Sequence, residues 1–139
     1  MGFKRNIMLT MLIFCAQVTV AENDDSYEFY GRHFIASYRE CDAQALEDIT
    51  SLLEAFARAV RASGATILSS DKALFPGNGL TASFLLSESH ATIHTYPEHC
   101  ACFVDLFTCG HTCSHEQFDK ILTEYLKAKK VTSELCIRN

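Results

Sequence analysis

Three short apolar runs follow one another in the middle of the chain with no room for a helix between them. They occupy residues 82–86, 91–96 and 101–107. The first two are separated by the polar residues 87–90, and a proline-containing segment separates the second from the third. Consecutive strands exclude a regular alternation of strand and helix, and they favour a mostly antiparallel sheet.

The flanking segments add helices to this sheet. Residues 31–38 alternate like a strand, and residues 65–68 and 131–136 predict two more. Asp42 is a candidate N-cap for a helix that ends before Gly64, and Ser114 with Gln117 forms a capping box for a second. The apolar positions of the first helix recur at helical spacing: Leu46, Ile49, Leu52, Leu53, Phe56 and Val60. Residues 75–79 predict a turn.

The expected fold class is α+β, a two-layer sandwich of a mostly antiparallel sheet with two helices on one face. Such a sheet leaves its other face uncovered. We therefore expect a homodimer that buries this face.

The N-terminal segment differs in composition from the rest. Lys4 and Arg5 precede an apolar run at 7–14, and small residues lead to Ala21. This pattern predicts a secretory signal peptide at 1–21, a linker at 22–30 and a single domain at 31–139. The alternative is a misassigned start that adds apolar sequence to a cytoplasmic protein.

Charge and cysteine content narrow the function. The formal net charge is −5, which argues against nucleic acid as a partner and is compatible with a small cationic substrate. The chain has seven cysteines, Cys15 in the leader and six beyond it: Cys41, Cys100, Cys102, Cys109, Cys113 and Cys136. In an oxidising compartment the six could pair in fifteen ways, and their spacing does not choose among them.

Ser89 lies between Glu88 and His90 at a junction of two predicted strands. Many such serines cap a turn. The chemical alternative is that its hydroxyl attacks the Glu88 carbonyl, so that an N-to-O acyl shift and β-elimination cut the chain and leave a pyruvoyl group. This reaction needs a base, and His94 is a candidate. Strand alternation puts Ser89 and His94 on opposite faces, so the hypothesis requires a bend at Ser89 or His90.

Cys109 ends the third strand of the run, just before Gly110. A single cysteine is most often a structural thiol. A decarboxylase, however, needs an acid to protonate the α-carbon after carbon dioxide leaves, and a thiol can serve.

These motifs resemble a known family. The segments 31–33, 40–42, 63–67, 87–90, 92–95, 97–98 and 105–110 resemble the short prokaryotic S-adenosylmethionine decarboxylase proenzymes, in the family's order. The resemblance implies cleavage into a β chain ending at Glu88 and an α chain beginning at Ser89. It also implies a two-layer fold and a dimer of cleaved protomers.

The resemblance assigns roles to individual residues. Ser89 would become the pyruvoyl cofactor that forms a Schiff base with the substrate's α-amine. His94 would be the base in self-processing and Cys109 the proton donor in catalysis, with no metal in the site. Thr81 stands where relatives carry a serine that assists processing, and Tyr96 where they carry tryptophan.

Two weaker assignments concern the substrate. Phe75 would stack on adenine and Glu98 would face the positive charge, although a core phenylalanine and a solvated glutamate explain these residues nearly as well. The implied activity is decarboxylation of S-adenosylmethionine, which supplies the aminopropyl donor for spermidine. Ornithine and arginine are alternative substrates on the same scaffold. The leader indicates export, whereas such enzymes are ordinarily cytoplasmic.

Two other classes of function stay open. Histidines and cysteines crowd one segment and could bind zinc or copper in an exported metal-binding module, although no Cys-x-x-Cys pair occurs there. They are His90, His94, His99, Cys100, Cys102, Cys109, His111, Cys113 and His115. The chain could also be an inactive homologue that folds without cutting itself.

Overall fold

One antiparallel sheet of six strands organises the computed structural model, which describes residues 29–109 and 112–139. The strands are β1 (Gly31–Arg39), β2 (Ile67–Phe75), β3 (Gly79–Leu86), β4 (Ser89–Tyr96), β5 (Ala101–Cys109) and β6 (Lys130–Arg138). The helices are α1 (Ala43–Glu47), α2 (Ile49–Ala62) and α3 (His115–Leu126), and short 3-10 turns occupy Pro76–Asn78 and Pro97–His99. The predicted signal peptide at 1–21 lies outside the described residues, as does most of the predicted linker.

The strand order is β2-β3-β4-β5-β1-β6. Strands β2 to β5 form a meander with short connections, as the consecutive apolar runs predict. The first strand of the chain then inserts between β5 and β6, where Phe34 lies opposite Leu106 on one side and Leu135 on the other. The N-terminal strand is thus held on both edges by C-terminal sequence.

The two faces of the sheet differ sharply. On one face, alternate residues of β1 and β5 such as Phe34 and Leu106 are buried against α2 and α3, where Phe56 and Phe118 complete the core. The intervening residues form a second, half-exposed face that includes His33 and Asp105. No helix from the described part of the chain packs over that face. The predicted two-layer α+β sandwich is confirmed.

The helix predicted from Asp42 to Gly64 is two helices, so the described chain has three rather than two. Asp48 interrupts it with a ψ of 82°, and its carboxylate accepts hydrogen bonds from the Ser51 amide at 3.1 Å and the Ser51 hydroxyl at 2.7 Å. An aspartate bonded in this way favours a new helix start over continuation of the old helix. None of the described helices has both the length and the apolar character that a bilayer span requires.

Tyr38 links the sheet to α3 through the core. It is fully buried, and its hydroxyl donates a hydrogen bond of 2.5 Å to the Asp119 carboxylate. Burial and the adjacent negative charge raise the pKa of Tyr38 above its ordinary value. The phenol of Tyr38 therefore stays neutral and continues to donate its hydrogen bond to Asp119.

We predict that Tyr38→Phe lowers the free energy of unfolding by about 1–3 kcal/mol, because the Asp119 carboxylate loses its buried donor. Tyr125→Phe is the matched control. Its hydroxyl donates to the neutral Ala45 carbonyl, at 3.0 Å in a part-buried position, so its loss should cost about 1 kcal/mol or less. Urea unfolding measures the free energy of unfolding of both variants. Equal losses in the two variants would contradict the role given to Asp119.

Candidate active site

The junction between β3 and β4 is anchored to the segment before β2. The Ser87 amide donates to the Thr66 carbonyl at 3.0 Å, and the Glu88 carboxylate accepts from the Thr66 amide at 2.9 Å. Both bonds hold the backbone on the N-terminal side of Ser89. The backbone immediately before Ser89 is therefore tied to the segment that precedes β2.

Ser89 has an unusual backbone conformation. Its φ is 151°, whereas other described residues with positive φ, such as Glu40 at 53° and Lys127 at 49°, lie in the left-handed helical region. A side chain at such a φ costs of order 1–3 kcal/mol, and strain of this kind is concentrated at functional sites. The strained residue, Ser89, thus contributes the nitrogen of the peptide bond that links it to Glu88. The backbone therefore bends at Ser89, one of the two positions at which the sequence hypothesis required a bend.

An imidazole lies beside the Ser89 hydroxyl, but it is that of His90. Ser89 Oγ and His90 Nδ1 are 3.1 Å apart. The His90 ring packs against Phe107, with centroids 5.6 Å apart, and lies 6.5 Å from the ring of His33. From the sequence, His90 was considered only as a candidate metal ligand, although its position next to the serine was a signal available in the sequence.

A polar network continues from His90 across the open face. His33 Nε2 lies 3.1 Å from one oxygen of Asp105, and the Thr92 hydroxyl donates to the other at 3.1 Å. Both carboxylate oxygens are thus engaged. The network fixes side chains of β1, β4 and β5 next to the His90 ring.

The Glu88 carbonyl is held by a backbone donor. Its oxygen accepts a hydrogen bond of 3.0 Å from the amide of Cys109, which ends β5 opposite Gly31. Cys109 is half-buried and lines a cavity of about 220 Å³ with residues that flank β1 and end β6, Tyr30 and Arg138 among them. The structure thus brings Cys109, Glu88 and Ser89 together.

A second thiol near this junction was not singled out from the sequence as part of the site. Cys113 is buried, and its burial together with the negative charge of Glu88 raises the pKa of its thiol. Cys113 therefore stays protonated beside Glu88.

The remaining candidate residues form a separate cluster. Thr81 of β3 lies opposite His94 of β4, and its Oγ1 is hydrogen-bonded to His94 Nδ1. The His94 ring contacts Tyr96 at a centroid distance of 4.6 Å and Phe75 at 5.9 Å. Glu98 is exposed on the following turn. Thr81, His94, Phe75 and Tyr96 are thus neighbours, and we call them the His94 cluster.

The His94 cluster does not meet Ser89 within one protomer. Five residues of an extended strand, about 16 Å at the usual rise, separate Ser89 from His94. Alternation places His94 on the open face, together with His90. The described part of the chain therefore presents two separate groups of candidate residues, the Ser89 junction and the His94 cluster.

The candidate ligands of the metal-binding alternative are divided between the Ser89 junction and the His94 cluster. His90 contacts Ser89 and His94 contacts Thr81, while His111 lies outside the described residues. Within 29–109 and 112–139, no three His, Cys, Asp or Glu side chains are grouped to hold a metal ion. The structure gives that alternative no support.

A serine with a strained backbone and an imidazole beside its hydroxyl is the arrangement that a self-processing enzyme, such as a pyruvoyl-dependent carboxy-lyase, requires. Comparison with known proteins identifies the family. The sequence profile of the family described as S-adenosylmethionine decarboxylase matches residues 32–139. The chain belongs to the S-adenosylmethionine decarboxylase family.

Individual relatives agree with this membership. The S-adenosylmethionine decarboxylase proenzyme of Thermotoga petrophila is 39% identical over 101 residues, covering 73% of this chain and 78% of the relative. That of Pyrobaculum arsenaticum is 42% identical over 103 residues, covering 73% and 82%. The crystal structure of the adenosylmethionine decarboxylase from Aquifex aeolicus matches with a TM-score of 0.72 at 29% identity, covering 78% of this chain and 90% of that one.

The strain at Ser89 can be measured without the cleavage chemistry. We predict that Ser89→Gly is more stable than Ser89→Ala by about 1 kcal/mol, because relief of strain exceeds the extra backbone entropy of glycine. Neither variant carries the hydroxyl, so both can be unfolded as single chains in urea. The same pair of substitutions at Ser83, on a regular part of β3, should show the reverse order. The same order at both sites would contradict strain at Ser89.

Proposed function

We propose that this protein is a self-cleaving S-adenosylmethionine decarboxylase that cuts its own chain between Glu88 and Ser89. The observation that carries the proposal is the junction itself. The Ser89 hydroxyl has an imidazole beside it, and the Glu88 carbonyl accepts a backbone hydrogen bond. The family names given to the relatives support the substrate.

Cleavage begins when Ser89 Oγ attacks the carbonyl carbon of Glu88. His90 Nδ1, in its acceptor tautomer, takes the hydroxyl proton at a distance of 3.1 Å. Negative charge develops on the Glu88 oxygen, where the Cys109 amide already donates a hydrogen bond. The protonated His90 gives this proton to the Ser89 nitrogen, the C–N bond breaks, and an ester joins Glu88 to Ser89 Oγ. Loss of the strained Ser89 conformation favours this step.

The ester is resolved by elimination. A base removes the Cα proton of Ser89, the Cβ–Oγ bond breaks, and the upstream chain leaves with a carboxylate at Glu88. The resulting dehydroalanine takes up water and releases ammonia, which leaves a pyruvoyl group at the start of the downstream chain. When present, that group accepts the electron pair that decarboxylation releases.

The base for the second step is His94 of another copy in our proposal. In this homodimer the open faces of two protomers stack on each other. The two-fold axis between them is perpendicular to β4 and passes near the midpoint of that strand. The two β4 strands then run antiparallel. Ser89 of one protomer then faces His94 of the other, at the roughly 10 Å spacing of packed sheets. The hydrogen bond to Thr81 orients that imidazole.

Other residues serve the decarboxylation. The Cys109 thiol, beside the junction, is the acid that protonates the substrate's α-carbon. The aromatic rings of Phe75 and Tyr96 flank His94 and offer faces for adenine, and Glu98 offers a charge to the sulfonium. The product would serve as an aminopropyl donor for spermidine. Nothing in the site favours ornithine or arginine.

We predict that the purified protein contains two fragments that meet at Glu88 and Ser89, with the downstream fragment blocked at its N-terminus. Ser89→Ala should remain one chain, because the attacking oxygen is gone. Intact-mass analysis checks both. Carboxyl-labelled S-adenosylmethionine should release carbon dioxide, whereas labelled ornithine and arginine should not. An uncut wild-type chain would show an inactive homologue instead.

A mixing experiment separates the roles of the two histidines. We predict that His90→Ala and His94→Ala each prevent cleavage when expressed alone. Coexpression with Ser89→Ala should restore cleavage of the His94→Ala chain, because the Ser89→Ala protomer still carries His94. It should not restore cleavage of the His90→Ala chain, since His90 acts within its own protomer. Differently tagged chains identify which one is cut, and rescue of neither or of both would contradict the composite site.

A further inference from the structure

Two thiols meet in the core at the end of the sheet farthest from Ser89. The amide of Cys41, in the corner between β1 and α1, donates to the Cys100 carbonyl at 2.9 Å. Cys102 follows two residues later in β5, opposite Tyr38. Both cysteines contribute to the buried cluster, Cys102 with no exposure and Cys41 with 6%. Cys41 and Cys102 are thus neighbours within one buried cluster.

The two thiols are chemically unequal. The interaction with Cys102 lowers the pKa of Cys41, because the Cys102 thiol favours the Cys41 thiolate. Cys41 and burial raise the pKa of Cys102. Cys102 is fully enclosed whereas Cys41 keeps 6% of its surface exposed, so Cys41 is the thiol that an external disulfide reaches first.

We propose that Cys41 and Cys102 form a disulfide that joins the two fragments of the cleaved protein. The inference rests on the proposed cleavage, because Cys41 lies before Glu88 and Cys102 after Ser89. The same bond in the uncut chain would only cross-link one polypeptide. In the cut protein it would become the covalent connection between the fragments.

The chemistry requires an oxidant, and a low-molecular-weight disulfide supplies it. The Cys41 thiolate attacks one sulfur of this disulfide, which forms a mixed disulfide and expels one thiolate. The Cys102 thiol then loses its proton and attacks the Cys41 sulfur, which expels the second thiolate. Two protein thiols are oxidised and one external disulfide is reduced to two thiols.

The bond would leave the proposed catalytic thiol free. Cys109 lies seven residues beyond Cys102 on β5, about 23 Å away along the strand. Its amide and half-buried side chain belong to the opposite end of the sheet. Oxidation at Cys41 and Cys102 should therefore preserve decarboxylation.

The test uses the purified full-length protein treated with oxidised glutathione, or with a reductant. After denaturation without reductant, the oxidised protein should migrate as one species with the combined mass of both fragments. Reductant should release the two fragments. Peptide mapping of the oxidised wild type should recover the Cys41 peptide linked to the Cys102 peptide.

Variants locate the bond. Cys41→Ala and Cys102→Ala should each give separate fragments without reductant, whereas Cys100→Ala and the exposed Cys136→Ala should behave as wild type. Separate fragments from oxidised wild type would overturn the proposal, as would a map that pairs Cys41 with another cysteine.

Failure of the disulfide is distinguishable from failure of cleavage. A protein that does not cut itself gives one band even after reduction, whereas a protein that cuts without cross-linking gives two bands before reduction. The Ser89→Ala chain provides an independent readout. After oxidation and denaturation, it should bind two fewer alkylating groups than its reduced form, and equal labelling would count against the bond.

Discussion

The register between β4 and β5 is the constraint on which both the Ser89 junction and the His94 cluster depend. It pairs Ser89 with Thr108 at one end and Tyr96 with Ala101 at the other. A slip of one residue would exchange the faces of the strand and turn His90 and His94 into the core. The same slip would part the Glu88 carbonyl from the Cys109 amide. Burial of Ile93 and Leu106 on the helix face makes that slip costly.

Much of the fold was predictable because the residues that become buried recur at regular spacing in the sequence. The central strands alternate cleanly, and α3 begins after Ser114 as its capping signal predicts. The full length of β2 was not predictable, since an edge strand exposed along residues 68–75 carries no apolar alternation. The break in the first predicted helix depends on the hydrogen bonds of the Asp48 carboxylate. The apolar residues keep their helical spacing across this position, so the spacing gives no sign of the break.

The sequence motifs pointed to individual residues of the candidate site but not to their arrangement in space. Ser89, Glu88 and Cys109 are neighbours in space, although Cys109 belongs to a separate motif farther along the chain. The pairing of His90 with the hydroxyl depends on the backbone at Ser89, which two bonds from Thr66 constrain. Those bonds join segments distant in the chain, so no local pattern reports them. The separation of His94 from Ser89, in contrast, follows from the rise of a strand and could have been calculated.

The strand order has a consequence for a chain opened between Glu88 and Ser89. The upstream piece would hold β1, β2 and β3, yet β1 lies between two strands of the downstream piece. Neither piece contains a contiguous sheet, and each leaves a gap that only the other fills. The two would therefore be interlocked through three ladders, so they could not part without unfolding. Assembly from separately made pieces would have to be a single co-folding event, which makes an intact precursor the practical route to the mature protein.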